Sequence, residues 1–255
     1  MQIEKRKMIG IVGGMGPYAG LDLVKKIFDL TQANQDQDHV PLAMISVPHK
    51  ITDRTKFLEG GTDINPGIEI SNIIRQLSDQ GASVIGMPCN TAHSSKIINE
   101  VYNSIPEGII FINMVSEVIK FIKGEYPDIE RVGILATTGT MKAGVYNKEL
   151  IDNDLKPIIL SKENQKKLID QAIYDKDFGI KSISNPVHDN AKRKIHLAID
   201  SLIDNKAEVV ILGCTELPLA VNAASFITIP LIDSTMILAR SLLFKSNHTV
   251  PDEEW

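Results

Sequence analysis

The chain's two thiols lie in short segments of similar chemistry, Pro88-Cys89-Asn90-Thr91-Ala92-His93 and Gly213-Cys214-Thr215-Glu216. A cysteine taken alone is most often a small buried hydrophobe. Both of these follow a short apolar run and precede a segment expected to open a helix, whose N-terminus favours thiolate. If the two sulfurs approach one cleft from opposite sides, they have an evident use as a pair. One thiolate can remove a proton from carbon while the other thiol returns one to the opposite face, which inverts a stereocentre. Competing uses fit less well. Cys89 and His93, four residues apart, could begin a zinc site, but His39, His49, His188, His196 and His248 lack the spacing of further ligands. Neither a metal nor a disulfide is expected.

The segments around the cysteines belong to a regular alternation. Apolar runs predict strands at 8–12, 42–47, 83–87, 109–112, 132–136, 158–160, 209–212 and 228–231. Helical spacing recurs over 21–32, 68–80, 115–123, 166–174 and 191–205. Continuous apolar strands alternating with helices imply parallel sheets covered on both faces. The chain is also duplicated. The segment from Met8 to Gly16 aligns without gaps on Arg131 to Gly139, 123 residues later. Ala82 to Ile85 aligns on Ala207 to Val210, which carries Cys89 onto Cys214 at an offset of 125. Pro41 and Ser46 find rough counterparts in Pro157 and Ser161. A repeat this long, occurring twice, predicts two similar half-proteins rather than a solenoid. The expected fold class is α/β, with two pseudo-symmetric units, each a mainly parallel sheet flanked by helices, and the site in the cleft between them. The expected units are 1–115, completed by 226–255, and 116–225.

In open α/β sheets, ligands bind beyond the carboxyl ends of the strands. Two further loops lie there, Gly13-Gly14-Met15-Gly16-Pro17 and Ala136-Thr137-Thr138-Gly139-Thr140. Free backbone N–H groups in such loops suit a carboxylate or phosphate. Asn90, Thr91, Thr137, Thr140 and Thr215 add groups that orient a ligand or cap a helix. Gly14, Gly16 and Ala19 satisfy a permissive dinucleotide pattern, but the next strand ends Ile45-Ser46-Val47-Pro48-His49, with no acidic residue for a ribose. No nucleotide cofactor is expected. A modestly anionic chain can still carry a cationic pocket, so the composition does not exclude a small acidic ligand as partner. A net charge of −5 and 5% aromatic residues give no reason to expect nucleic acid or an anionic membrane. No stretch is long and apolar enough to span a bilayer. Lys5-Arg6-Lys7 precedes an apolar run that breaks at Gly13-Gly14 without a cleavage pattern, so a cytoplasmic location is expected.

At these residues the sequence resembles the aspartate/glutamate racemase superfamily, and within it the amino-acid racemase branch that contains aspartate racemase. The resemblance is carried by Gly13-Gly14-Met15-Gly16-Pro17, Asp53-Arg54-Thr55 and the two cysteine segments, the second extending to Leu217. Ala136-Thr137-Thr138-Gly139-Thr140 and Ile173-Tyr174 agree more weakly. It implies two pseudo-symmetric α/β units, a homodimer, and cofactor-independent racemisation of an acidic amino acid. It implies Cys89 and Cys214 as the acid/base pair. Asn90, Thr91, Thr137, Thr140 and Thr215 would hold the α-amino and α-carboxylate groups, with Met15 lining the same site. Arg54 resembles the clamp for the side-chain carboxylate, a role its fork geometry suits. Lys181, with Tyr174 behind it, is the choice for the lysine that joins it, although 175–181 departs from the usual spacing. Glu216 stands where glutamate racemases have histidine, which favours the aspartate branch.

Racemisation of aspartate, with glutamate as a further substrate, is the first expectation. Hydantoin racemase, maleate isomerase and arylmalonate decarboxylase chemistry are alternatives within the superfamily. A matched pair of cysteines argues against a decarboxylase, and an arginine clamp has no role toward hydantoin. An amino-acid-binding protein without turnover is the non-enzymatic alternative. An ordinary thiol, with pKa about 8.5, is only a few per cent thiolate at neutral pH. The surroundings of the two sulfurs must therefore ionise one while the other keeps its proton.

Overall fold

The computed structural model describes residues 6–221 and 228–248. Among these residues eight strands form two sheets of four, and the strand order is the same in both. The first sheet runs β2-β1-β3-β4, from β1 (Met8–Val12), β2 (Leu42–Ile45), β3 (Ala82–Gly86) and β4 (Ile110–Ile112). The second runs β6-β5-β7-β8, from β5 (Arg131–Leu135), β6 (Lys156–Ile158), β7 (Val209–Leu212) and β8 (Leu231–Asp233). Every pairing is parallel. The central strands are the most buried, because helices cover both of their faces.

The duplication is visible in packing as well as in topology. A Cβ on Gly10 of β1 would stand 3.0 Å from Ala82 Cβ and 3.1 Å from Ile85 Cγ1. A Cβ on Gly133 of β5 would stand 3.1 Å from Ala207 Cβ and 3.0 Å from Val210 Cγ2. The same close approach recurs with the partners that the 125-residue offset predicts. The covering helices include α1 (Pro17–Leu30), which starts with proline at its first turn, and α3 (Pro66–Asp79), capped by the Asn65 side chain. Their counterparts on the second sheet include α7 (Val145–Asp152) and α10 (Asp189–Asp204).

The last helix of each half crosses to the other sheet. α5 (Met114–Glu125) follows β4, yet its Val115, Val118, Ile119 and Ile122 pack with Val132, Ile134, Val209 and Ile211 of the second sheet. α11 (Ser234–Lys245) follows β8, yet Leu238, Ala239, Leu242 and Leu243 pack with Ile9, Ile11 and Val84 of the first. Equivalent caps start both crossings. Asn113 Oδ1 accepts from the N–H groups of Val115 and Ser116, and Asp233 Oδ1 accepts from those of Thr235 and Met236. The sequence expectation returned the chain to the first unit at 226, but the return begins with α11. The final strand lies at 231–233 rather than 228–231 and pairs with β7, so it completes the second sheet. Residues 226, 227 and 249–255 of the expected segment fall outside the described residues. β6 likewise lies two residues earlier than the periodicity suggests. It is an edge strand in which Pro157 pairs with Val132.

Candidate active site

The carboxyl ends of the central strands of both sheets point toward one cavity of about 320 Å³. Its lining brings together Gly14, Met15, Gly16, Arg54, Cys89, Asn90, Thr91, Thr137, Tyr174, Lys181, Cys214, Thr215 and Glu216, with Pro48, Ile51, Asp53 and Thr55 completing the wall. Ten of the eleven residues singled out from sequence therefore share one site. Thr140 is the exception. It is buried behind the lining, where its hydroxyl bonds Thr91 Oγ1 at 2.6 Å and Thr137 Oγ1 at 3.1 Å. Its place is that of a strut between two lining threonines from opposite halves.

Local sequence explains how each loop presents its groups. Gly14 has φ of +92°, and a Cβ there would meet the backbone nitrogen of Pro48 at 3.2 Å, so the turn that places Met15 requires glycine. Arg54 opens the short helix α2 (Arg54–Leu58), whose cap is Asp53 Oδ1 accepting from Lys56 N at 2.8 Å. α2 lies against α6 (Thr138–Lys142) of the other half. A Cβ on Gly139 would stand 2.4 Å from Thr55 Oγ1, so glycine permits that approach. Lys181 reaches the cavity through a tight turn after α9 (Gln171–Tyr174). The N–H of Gly179 donates to Asp175 O, and that of Lys181 donates to Ile173 O. This turn absorbs the unusual spacing of 175–181.

The cysteines lie at equivalent places, one after β3 and the other after β7, and are 4% and 7% exposed. The helix starts expected at both are short. Cys89 precedes a 3₁₀ turn, Asn90–His93, and α4 (Ser95–Tyr102) begins only after it. Cys214 is followed by a 3₁₀ turn at Leu217–Leu219. Neither sulfur stands directly before a long helix among the described residues: Ser94, with extended backbone, separates the turn after Cys89 from α4, and the turn after Cys214 is three residues long. Polar neighbours define the two environments instead.

The side-chain hydrogen bonds that hold the Cys89 loop join neutral groups. Asn90 Nδ2 donates to Ser234 Oγ at 3.3 Å, while Tyr146 donates to Asn90 Oδ1 at 2.5 Å. His93 Nδ1 donates to Cys89 O at 2.9 Å, and its Nε2 accepts from Met114 N. Burial drives the imidazole pKa down to about 4, against the pull of the Cys89 carbonyl. His93 is thus a neutral clamp on the Cys89 loop. Tyr146 and Ser234 went unnoticed in the sequence. Each is remote in sequence from the motif it supports, and Ser234 arrives only through the crossing of α11.

Around Cys214 the neighbours are charged. Its Sγ donates to Glu216 Oε2 at 3.0 Å, and Glu216 is also ion-paired with Lys181. Burial pushes the Cys214 thiol well up, and the Glu216 carboxylate adds to that, with Lys181 opposing. Burial alone would raise Glu216, but Lys181 and the Cys214 thiol hold it below the usual carboxylate range. Burial works against the Lys181 ammonium, yet Glu216 raises it overall. Across the cavity, Arg54 Nε is sealed from solvent with no hydrogen-bond partner among the described residues. Among those residues there is no cluster of three or more His, Cys, Asp or Glu able to hold a metal.

Comparison with known proteins agrees with this architecture. The chain is 27% identical over 239 residues to the broad specificity amino-acid racemase RacX of Bacillus subtilis, covering 92% of this chain and 96% of that one. The structure of Picrophilus torridus aspartate racemase superposes with a TM-score of 0.79 at 28% identity, covering 96% of both chains. An aspartate racemase homologue from Pyrococcus horikoshii shares the fold, with a TM-score of 0.73 at 24% identity over 95% of this chain and all of that one. A family model for Asp/Glu/Hydantoin racemase matches residues 12–242, which include both cysteine segments, and the chain therefore belongs to that family.

Proposed function

We propose that this protein racemises an acidic amino acid, aspartate first and glutamate as a further substrate, by proton transfer between Cα and two cysteines, without a cofactor. The observation that carries the reading is the convergence of Cys89 and Cys214, from equivalent loops of the two halves, on one cavity that also holds Arg54. A thiolate on one side takes the Cα proton, and the electron pair left on carbon spreads into the α-carboxylate. The thiol on the other side then gives its proton to the opposite face and becomes the thiolate. Each turnover ends with the two protonation states exchanged. Asn90, Thr91, Thr137 and Thr215 hold the α-amino and α-carboxylate groups and meet the developing charge. Arg54 takes the distal carboxylate. Its buried, partnerless Nε supports that role, since such a donor costs free energy until an acceptor arrives.

The test follows production of D-aspartate from L-aspartate by chiral chromatography, without pyridoxal phosphate and after dialysis against a chelator. The unsubstituted protein should convert one isomer to the other. Cys89→Ala and Cys214→Ala should each lower the rate by about 10²-fold or more, the usual contribution of a positioned acid or base, with the fold retained by circular dichroism. Substantial racemisation by either variant, or loss of activity on dialysis, would refute the two-cysteine reading.

A further inference from the structure

The two halves place their cysteines alike but surround them differently, and the difference centres on one position. The 125-residue offset that carries Cys89 onto Cys214 carries Thr91 onto Glu216. Thr91 is a neutral hydroxyl tied to Thr140. Glu216 is a buried carboxylate with one oxygen on Cys214 Sγ and the other on Lys181 Nζ. No symmetry-related carboxylate lines the cavity beside Cys89.

We propose, on the two-cysteine reading given above, that Glu216 is a positioning residue that fixes the resting proton of the pair, holding Cys214 as the thiol so that Cys89 is the proton acceptor when substrate first enters. A carboxylate oxygen 3.0 Å from sulfur can only accept, so the bond exists while Cys214 carries its proton. Ionising Cys214 would break that bond and set two negative charges side by side. Burial of both groups strengthens the repulsion, because little water is present to screen it. Lys181 is the counter-charge that keeps Glu216 ionised and able to accept. The other titratable or charged groups facing this sulfur are Tyr174 and Tyr146 from its own half, and Cys89, Arg54 and Asp53 from across the cavity. When Cys214 gives up its proton during turnover, Glu216 loses its donor. That state is the less stable one, and it returns to rest when Cys214 takes up a proton and Cys89 releases one.

Thiol alkylation of the full-length protein tests this without requiring turnover. The chain has two cysteines, so peptide mass spectrometry after iodoacetamide treatment across a pH series reads each separately. Access of the reagent sets the plateau rate, whereas protonation sets the midpoint. In the unsubstituted protein Cys89 should be labelled before Cys214 at neutral pH. Glu216→Gln should lower the Cys214 midpoint by at least one pH unit, about tenfold more thiolate at fixed pH. Lys181→Met should move that midpoint upward, an opposite sign that decides the matter should the Glu216 variant fold poorly. Cys214 labelling first in the unsubstituted protein, or an unchanged Cys214 midpoint in Glu216→Gln, would overturn the proposal. Labelling as expected in a protein that does not racemise aspartate would instead refute the proposed function and leave this assignment standing.

Discussion

Replacing Arg54 by methionine separates a carboxylate clamp from a structural arginine, because the structure predicts opposite effects on the free and the ligand-bound protein. Arg54 Nε is buried without a partner among the described residues, and the neighbouring Asp53 carboxylate is occupied in capping α2. An unsatisfied buried donor costs about 1–3 kcal/mol. Methionine keeps the apolar stem and removes that donor, so the ligand-free variant should be no less stable than the parent. A charge-assisted hydrogen bond to a substrate carboxylate contributes about 1.5–3 kcal/mol. Its loss should lower kcat/KM for aspartate roughly 10- to 150-fold, at 1.4 kcal/mol per decade. Alanine has no distal carboxylate and should lose far less. Initial rates by chiral chromatography on both substrates, with thermal unfolding in the presence and absence of aspartate, provide the measurements. The aspartate-induced rise in Tm should vanish while the Tm of the free protein holds. An equal loss on alanine and aspartate, or a destabilised free protein with the aspartate-induced rise intact, would make Arg54 a structural residue.

Protonation of His93 should destabilise the fold in acid. Its folded pKa of about 4 lies below the ordinary 6.5, so the unfolded chain binds the extra proton between those values. The contribution, about 3 kcal/mol, is complete above pH 6.5 and lost as pH falls toward 4. Urea unfolding at pH 7 and pH 5 should show that slope in the parent and a flatter one in His93→Gln. Gly10→Ala and Gly133→Ala should each cost about 1–3 kcal/mol by overpacking at equivalent close approaches to the neighbouring central strand. Urea midpoints equal to the parent's in both would show that these approaches leave room for a methyl group.

Much of the fold was legible because parallel strands covered on both faces are continuous apolar runs, as in Ile9 to Val12 and Val209 to Leu212. Most of the site was legible because its residues sit in strand-end loops whose order in the chain repeats. Properties that depend on which element packs against which were hidden. The apolar stripe of α5 shows that it is covered, but not that the second sheet covers it. α11 has apolar residues buried around much of its circumference, including Ile237, Leu238, Leu242 and Leu243, and so lacks a clear stripe. Thr140 could be read as a cap or as a ligand group from its spacing alone. Only its bonds to Thr91 and Thr137 place it behind the wall. Lys181 was placed by resemblance, and the turn at Gly179 with the ion pair to Glu216 supplies the physical account of how it reaches the cavity.

The contrast between a symmetric scaffold and an asymmetric site has a kinetic consequence. The glycine contacts at Gly10 and Gly133 repeat almost atom for atom, whereas Thr91 and Glu216 occupy equivalent places with different charge. Enantiomers have equal free energy in water, so a racemase must show equal kcat/KM in its two directions. That equality constrains only the ratio. If Glu216 holds Cys214 protonated at rest, the isomer that presents its Cα proton to Cys89 meets the populated form, and its mirror image must wait for the rarer one. The populated form lowers both KM and kcat for the first isomer, and the same free energy raises both for the second. On the proposed two-cysteine reading, duplication supplies acid and base on opposite faces, and the departure from symmetry at Glu216 sets the form in which the free protein waits.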